Sequence, residues 1–170
     1  MSERLLLSDK ALRVLLSVEL GSLRRYAMSL TGSVDDADDV VQATVVRALD
    51  RGVPADGPKP WLVRVCKNIW IDELRKRKVR RHDEYLDDST TQLEVDERIT
   101  IEAQVDSSRQ FQAIGAALQL LSDEHRVVLS MVVVEGLGYA EVAALLDLPI
   151  GTVMSRLARA RVNLKRHLNG

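Results

Sequence analysis

The last stretch of the chain, GTVMSRLARARVNLKRHL (Gly151–Leu168), holds five Lys/Arg residues and no Asp or Glu. Cationic groups gathered without counter-charge suit a polyanion, and Arg in particular presents a rigid fork to phosphate oxygens or to the acceptor edge of a guanine. Val153, Leu157, Ala160 and Leu164 recur at helical spacing and form an inner stripe. With Thr152 at the helix start, that leaves Met154, Ser155, Ala158 and Arg159 pointing outward in the N-terminal half, flanked by Arg156, Arg161, Lys165 and Arg166. A short apolar helix, Tyr139–Leu146, and a break at Asp147-Leu148-Pro149 come just before. Two helices joined by a tight break, with a small residue (Ala143) where they approach, form a helix-turn-helix pattern. The second helix of that motif lays its N-terminal half in the major groove of DNA. The competing reading of this stretch alone is a three-helix packing unit with a basic surface.

A second basic segment lies upstream. Trp61–His82 has eight Lys/Arg against two Asp/Glu, whereas Asp83–Asp106 has nine acids and one Arg. A solvated face accounts for any single charge run, but two basic segments separated by an acidic one are harder to explain that way. Catalytic chemistry has little to work with. His82, His125 and His167 are scattered without metal-ligand spacing, and Cys66 is the only cysteine, so a disulfide within the chain and a cysteine zinc site are both excluded. Most carboxylates fall in helix first turns or in the acidic segment, where capping and solvation account for them. The Gly52–Pro60 loop follows a helix instead of preceding one as a phosphate cradle does, and its prolines remove amide donors. The chain is therefore expected to be no enzyme and to need no metal or cofactor.

Helical spacing dominates the 170 residues, of which 46% are hydrophobic and only 4% aromatic. The first helix is expected over Ser8–Leu30, with Leu12, Leu16, Leu20 and Leu23 inward, then a Gly32 cap and a Ser33 start. The second, Val34–Asp50, turns Val34, Ala37, Val41, Val45 and Ala48 to the core. Asp35, Asp39, Gln42 and Val46 gather on another side, where an apolar Val among polar residues suggests a protein contact. After the Arg51–Pro60 loop, a third helix over Trp61–Arg80 buries Leu62, Val65, Cys66, Ile69 and Trp70 and exposes Arg64, Lys67, Asn68, Arg75 and Lys78. Residues 82–108 read as a flexible acidic linker. Beyond it, Gln110–Leu121 supplies Phe111, Ile114, Ala117 and Leu118. A helix capped by Ser122 and running to Glu135 buries Val128, Leu129 and Val132, and the helix pair described above follows. The architecture expected is all-α, with helical domains over 1–81 and 109–170. No apolar run is long enough to span a bilayer and no signal peptide is apparent, so a soluble, reduced, cytoplasmic protein without membrane insertion is expected.

The segments DADDVVQATVVRAL (Asp36–Leu49), PWLVRVCKNIWIDELRKRKVRR (Pro60–Arg81) and LSDEHRVVLSMVVVEGLGYAEVAALLDLPIGTVMSRLARAR (Leu121–Arg161) resemble, in that order, the bacterial extracytoplasmic-function (ECF) sigma factors. The resemblance covers most of the chain from Leu23 to His167. It implies two helical domains, sigma2 and sigma4, that bind RNA polymerase core through its β′ and β subunits and carry it to promoter DNA. On that basis Asp35, Asp39, Gln42 and Val46 would dock on the clamp helices of β′. Trp61, Arg64, Lys67, Asn68, Arg75, Lys76 and Lys78 would capture and melt the −10 element, and Thr152, Met154, Ser155, Arg156, Ala158 and Arg159 would read the −35 element. An anti-sigma factor is the implied regulator. The sequence departs from the family in carrying Met154 where a base is common, in Ala43, Val45 and Leu49 along the docking helix, and in a 51–60 loop without an aromatic residue. Two other classes stand beside this reading. An operator-binding regulator would leave the second helix face and the basic third helix unexplained. A sigma-like decoy would need a receiver domain, for which the chain has no βα alternation.

Overall fold

Ser8, Ser33 and Ser122 each start a helix in the computed structural model, their hydroxyl oxygens accepting from the backbone N–H of Ala11, Asp36 and His125. Each satisfies an amide that the helix itself cannot. The structure describes residues 5–84 and 105–169, so most of the expected linker lies outside them. The helices are α1 (Asp9–Thr31), α2 (Val34–Arg51), α3 (Pro58–Glu84), α4 (Val105–Gln119), α5 (Asp123–Val133), α6 (Tyr139–Leu146) and α7 (Ile150–Asn169). The fold is all-α, with α1–α3 forming one helical domain and α4–α7 the other. Among the described residues no helix is long and apolar enough to cross a membrane.

The turn between α1 and α2 depends on Gly32, whose φ of 69° lies in the left-handed region while its N–H returns to the Met28 carbonyl at 2.9 Å. α3 begins three residues earlier than the Trp61 start expected from the sequence. Pro58 and Pro60 fall in its first turn, where an amide N–H has no helical acceptor and a fixed φ suits the helix. The loop before it is pinned to the N-terminal segment, Leu7 N–H donating to the Val53 carbonyl at 2.9 Å and Ala55 N–H to the Leu5 carbonyl at 2.8 Å.

The first core joins Leu12, Leu16, Leu23, Tyr26, Ala27 and Leu30 of α1 to Ala37, Val40, Val41, Thr44 and Ala48 of α2 and to Leu62, Val63, Cys66 and Trp70 of α3. Leu20 is not part of it: it is 47% exposed. At 100° per residue it lies roughly 80° around α1 from Leu12, at the margin of the stripe. Val34 and Val45 sit at the corresponding margin of α2 and are half-buried, while Val40 and Thr44 occupy the centre. On α3 the buried face is rotated toward Val63, leaving Ile69 half-buried. The second core is built from Leu121, Val127, Val128, Leu129, Met131, Val142, Val153, Leu157 and Ala160, with Ala117 also buried. Ile114 is 40% exposed and Val132 half-buried, against expectation, and the side chain of Phe111 lies outside the described part of the structure.

Burial has an electrostatic consequence in the first core. It pushes the Cys66 thiol from 9.0 up to about 12, with the Thr44 hydroxyl working against the shift and the Glu135 carboxylate adding to it. Burial likewise holds the Tyr26 phenol well above 10.0, with smaller contributions from Cys66 and Glu135. Both groups fold in their protonated forms. Their contribution to stability is complete below the unfolded thiol value and drains away as pH rises toward about 12. Denaturant midpoints measured upward from about pH 8 are expected to fall with pH, and Cys66→Ala is expected to flatten the first part of that fall.

Candidate nucleic-acid and protein interfaces

The turn between α6 and α7 is set locally. Asp147 adopts φ 54°, ψ 50° at the end of α6, and Leu148 N–H returns to the Ala143 carbonyl at 3.0 Å. The Pro149 carbonyl then accepts from Thr152 and Val153, starting α7. At the other end of α6, the Glu141 carboxylate accepts from Gly138 N–H at 2.9 Å. With both ends of α6 fixed, α7 buries Val153, Leu157 and Ala160 against α5 and α6. Met154, Ser155, Ala158 and Arg159 consequently face solvent and Thr152 is half-buried. Arg156 differs from its neighbours: its side chain is only 25% exposed and its guanidinium meets Glu124 of α5 at 3.0 Å. That pair ties α7 to α5.

On α3, Arg64, Arg75, Lys76 and Lys78 are exposed, while Trp61, Lys67 and Asn68 are half-buried. Lys67 has its ammonium pKa lowered by burial first, then by the neighbouring positive charges of Arg64 and Arg75, with Asp72 opposing. Bases outnumber acids along α3, and an anion placed against that face would be favoured. Arg75 also lies 3.6 Å from Asp72, but both are largely exposed and the pair is weak. Arg77, absent from the expected set, is half-buried and paired. It grips Asp36 of α2 through two hydrogen bonds of 2.6 and 3.0 Å, reaches Glu73 at 3.1 Å, and stacks 5.2 Å from the centre of Trp70. Its basic charge is thus spent on joining α2 to α3.

The acids of α2 divide in the same way. Asp36 holds Arg77 and Asp38 holds Arg24 at 2.9 Å, whereas Asp35 and Asp39 make no ion pair among the described residues. Asp39, Gln42 and Val46 share an exposed face that continues to Leu49 one turn on. Val46 and Leu49 are 55% and 54% exposed, so the apolar part of this face is larger than the sequence alone indicates. The i, i+3 spacing of the two was the available signal. Among the described residues no group of His, Cys, Asp and Glu is arranged to hold a metal ion.

A Sigma-70 region 2 family model matches residues 15–80, and a Sigma-70 region 4 model matches residues 111–164. The chain is 35% identical to the ECF RNA polymerase sigma factor EcfG of Rhodopseudomonas palustris, over 84% of its own length and 77% of that protein. It belongs to the ECF sigma factors. The ECF sigma factor SigL of Mycobacterium tuberculosis is also 35% identical, over 86% of this chain and 82% of its own. Among solved structures, the sigma factor RpoE in complex with the anti-sigma factor NepR from Bartonella quintana superposes with a TM-score of 0.77 at 28% identity, covering 94% of this chain and 98% of that one. CnrH in complex with the cytosolic domain of CnrY gives 0.64 at 25% identity, over 95% of this chain and 90% of that one. As a sigma factor the protein is a transcription initiation factor and not an enzyme, and its α1–α3 and α4–α7 domains are sigma2 and sigma4.

Proposed function

We infer that this sigma factor programs RNA polymerase core for selected promoters through three surfaces: the α2 face for the enzyme, the α3 face for the −10 element and the outward N-terminal half of α7 for the −35 element. The observation that carries this reading is the division of α7, where Val153, Leu157 and Ala160 are buried while Met154, Ser155, Ala158 and Arg159 are free to enter a groove. Asp35, Asp39 and Gln42 offer charge and hydrogen bonds to the β′ clamp helices, and Val46 with Leu49 offers apolar area at the centre of that contact. On α3, Arg64, Lys67, Arg75, Lys76 and Lys78 grip phosphates while Trp61 and Asn68 lie where an extruded base is held. Capturing an unstacked base and gripping the strand offset an unpairing cost of a few kcal/mol without ATP. Arg156, paired with Glu124, is assigned to the edge of the −35 contact. The factor works in the cytoplasm with polymerase core, and an anti-sigma factor is its natural regulator, as NepR is the anti-sigma factor bound to the structurally similar RpoE.

Run-off transcription with purified core on genomic fragments tests the reading. Selective transcripts are expected only when this chain is added, and failure to obtain them rejects it. Replacing Arg64 and Arg75 with Gln is expected to reduce the salt slope of holoenzyme–promoter binding by up to about 0.9 for each phosphate the two side chains neutralise. An unchanged slope would move those phosphates off α3.

A further inference from the structure

Between α2 and α3 the chain is buried at Val53 and Pro54 and then exposed at Ala55, Asp56 and Gly57. This tip carries no aromatic ring on which a base could stack, so what it offers a strand depends on where its backbone lies. It is joined to the proposed −10 site, because the Gly57 carbonyl accepts from Trp61 N–H at 3.2 Å. It also borders open space: a Cβ added at Gly57 would meet nothing within 4 Å. Displacing the tip would therefore displace the start of α3 and the surroundings of Trp61.

What fixes the path into the tip comes from before α1. Leu7 N–H donates to the Val53 carbonyl at 2.9 Å and Ala55 N–H to the Leu5 carbonyl at 2.8 Å, so that Leu6 and Pro54 face each other as one antiparallel pair. The Leu6 side chain lies over Gly52, where φ is 73° and an added Cβ would come within 2.8 Å of it. The other end of this short segment is anchored, Leu7 packing against the core and Ser8 capping α1. Leu5 and Leu6 remain 77% and 50% exposed, so the pairing buries little apolar surface and core formation does not account for it. Its two hydrogen bonds act on the backbone at 53 and 55, directly before the tip. We propose that residues 5–7 are a strap that positions the 55–57 tip and Trp61 for base capture, which makes the segment before α1 part of the −10 recognition machinery. This role rests on the −10 reading of α3.

The experiment uses the full chain with polymerase core on the genomic fragment that gives the strongest run-off transcript. Leu7→Pro removes one of the two donors, and Leu7→Ala, which loses the same packing but keeps the N–H, is its control. Permanganate reactivity of thymines in the −10 element follows strand opening. Leu7→Pro is expected to open the fragment about three- to tenfold more slowly than Leu7→Ala, the scale of one or two backbone hydrogen bonds, with equal affinity for core. Hydrogen exchange over residues 53–57 reads the loop directly and should be faster in Leu7→Pro than in Leu7→Ala. A rescue separates positioning from general damage. Residues paired as Leu6 and Pro54 are have Cα atoms about 4.5 Å apart, within the span of a disulfide, and Cys66 is buried. Leu6→Cys with Pro54→Cys, placed in the Leu7→Pro chain and oxidised, should restore most of the opening rate, and reduction should remove the gain. Faster exchange without slower opening overturns the strap. So does unchanged exchange, failure of the disulfide to form, or a formed disulfide that restores nothing. A parent chain that opens no −10 element rejects the −10 reading and the strap's role with it, whereas failure of the strap alone appears only in the variants.

Discussion

Arg159→Ala is expected to weaken binding of the holoenzyme to its preferred promoter by about 1–3 kcal/mol, roughly five- to 160-fold, with the loss confined to one base pair of the −35 element. Arg159 is exposed on α7 beside Ala158 and one turn from Ser155, on the half of the helix that a helix-turn-helix inserts into the major groove. A guanidinium there can make a two-pronged contact with a guanine, and alanine removes both prongs. Binding to promoters randomised through the −35 element checks this. Loss of preference at one position is the expected result, whereas an equal loss on every sequence would assign Arg159 to a phosphate.

Two positions earlier the same helix should respond through stability instead of base contact. Leu157 is 2% exposed in the sigma4 core with Val128, Val142 and Val153. Leu157→Ala is expected to cost about 2–5 kcal/mol, the combined loss of burial and the cavity left behind. Since natural domains are stable by only about 5–15 kcal/mol, that is a large share of what holds sigma4 folded. Denaturant unfolding followed by circular dichroism should show an earlier transition, and −35 protection should vanish at temperatures where the parent chain still binds. Both substitutions impair −35 recognition by different routes, and only Leu157→Ala lowers the unfolding midpoint. A Leu157→Ala chain with unaltered stability would contradict the burial of that face.

Much of the site was legible because helix signals are short-range. The ends of α6, the Ser33 and Ser122 starts and the outward set on α7 follow from interactions within about one turn, and periodicity exposes the inner stripe directly. Periodicity gives the direction of a stripe and not its width. It therefore places Leu20, Val34 and Val45 at the centre of the core although they lie at its margins, Leu20 exposed and Val34 and Val45 half-buried. Charge counting has a similar limit. It finds the excess of bases on α3 and of acids on α2, but it cannot separate Arg77 and Asp36, which hold each other across 41 residues, from Arg64 and Asp39, which remain exposed.

The order of residues alone determined an all-helical chain with a helix-turn-helix near its end, two concentrations of positive charge and an acidic helix face, since each is a property of neighbours on one helix. Tertiary structure decided which charges are occupied. Arg156 is held by Glu124, Arg77 by Asp36, and Glu135 reaches Ser22 across 113 residues of chain. Such contacts form only when separate helices pack, and the energy of an ion pair depends on distance and burial that no local pattern encodes.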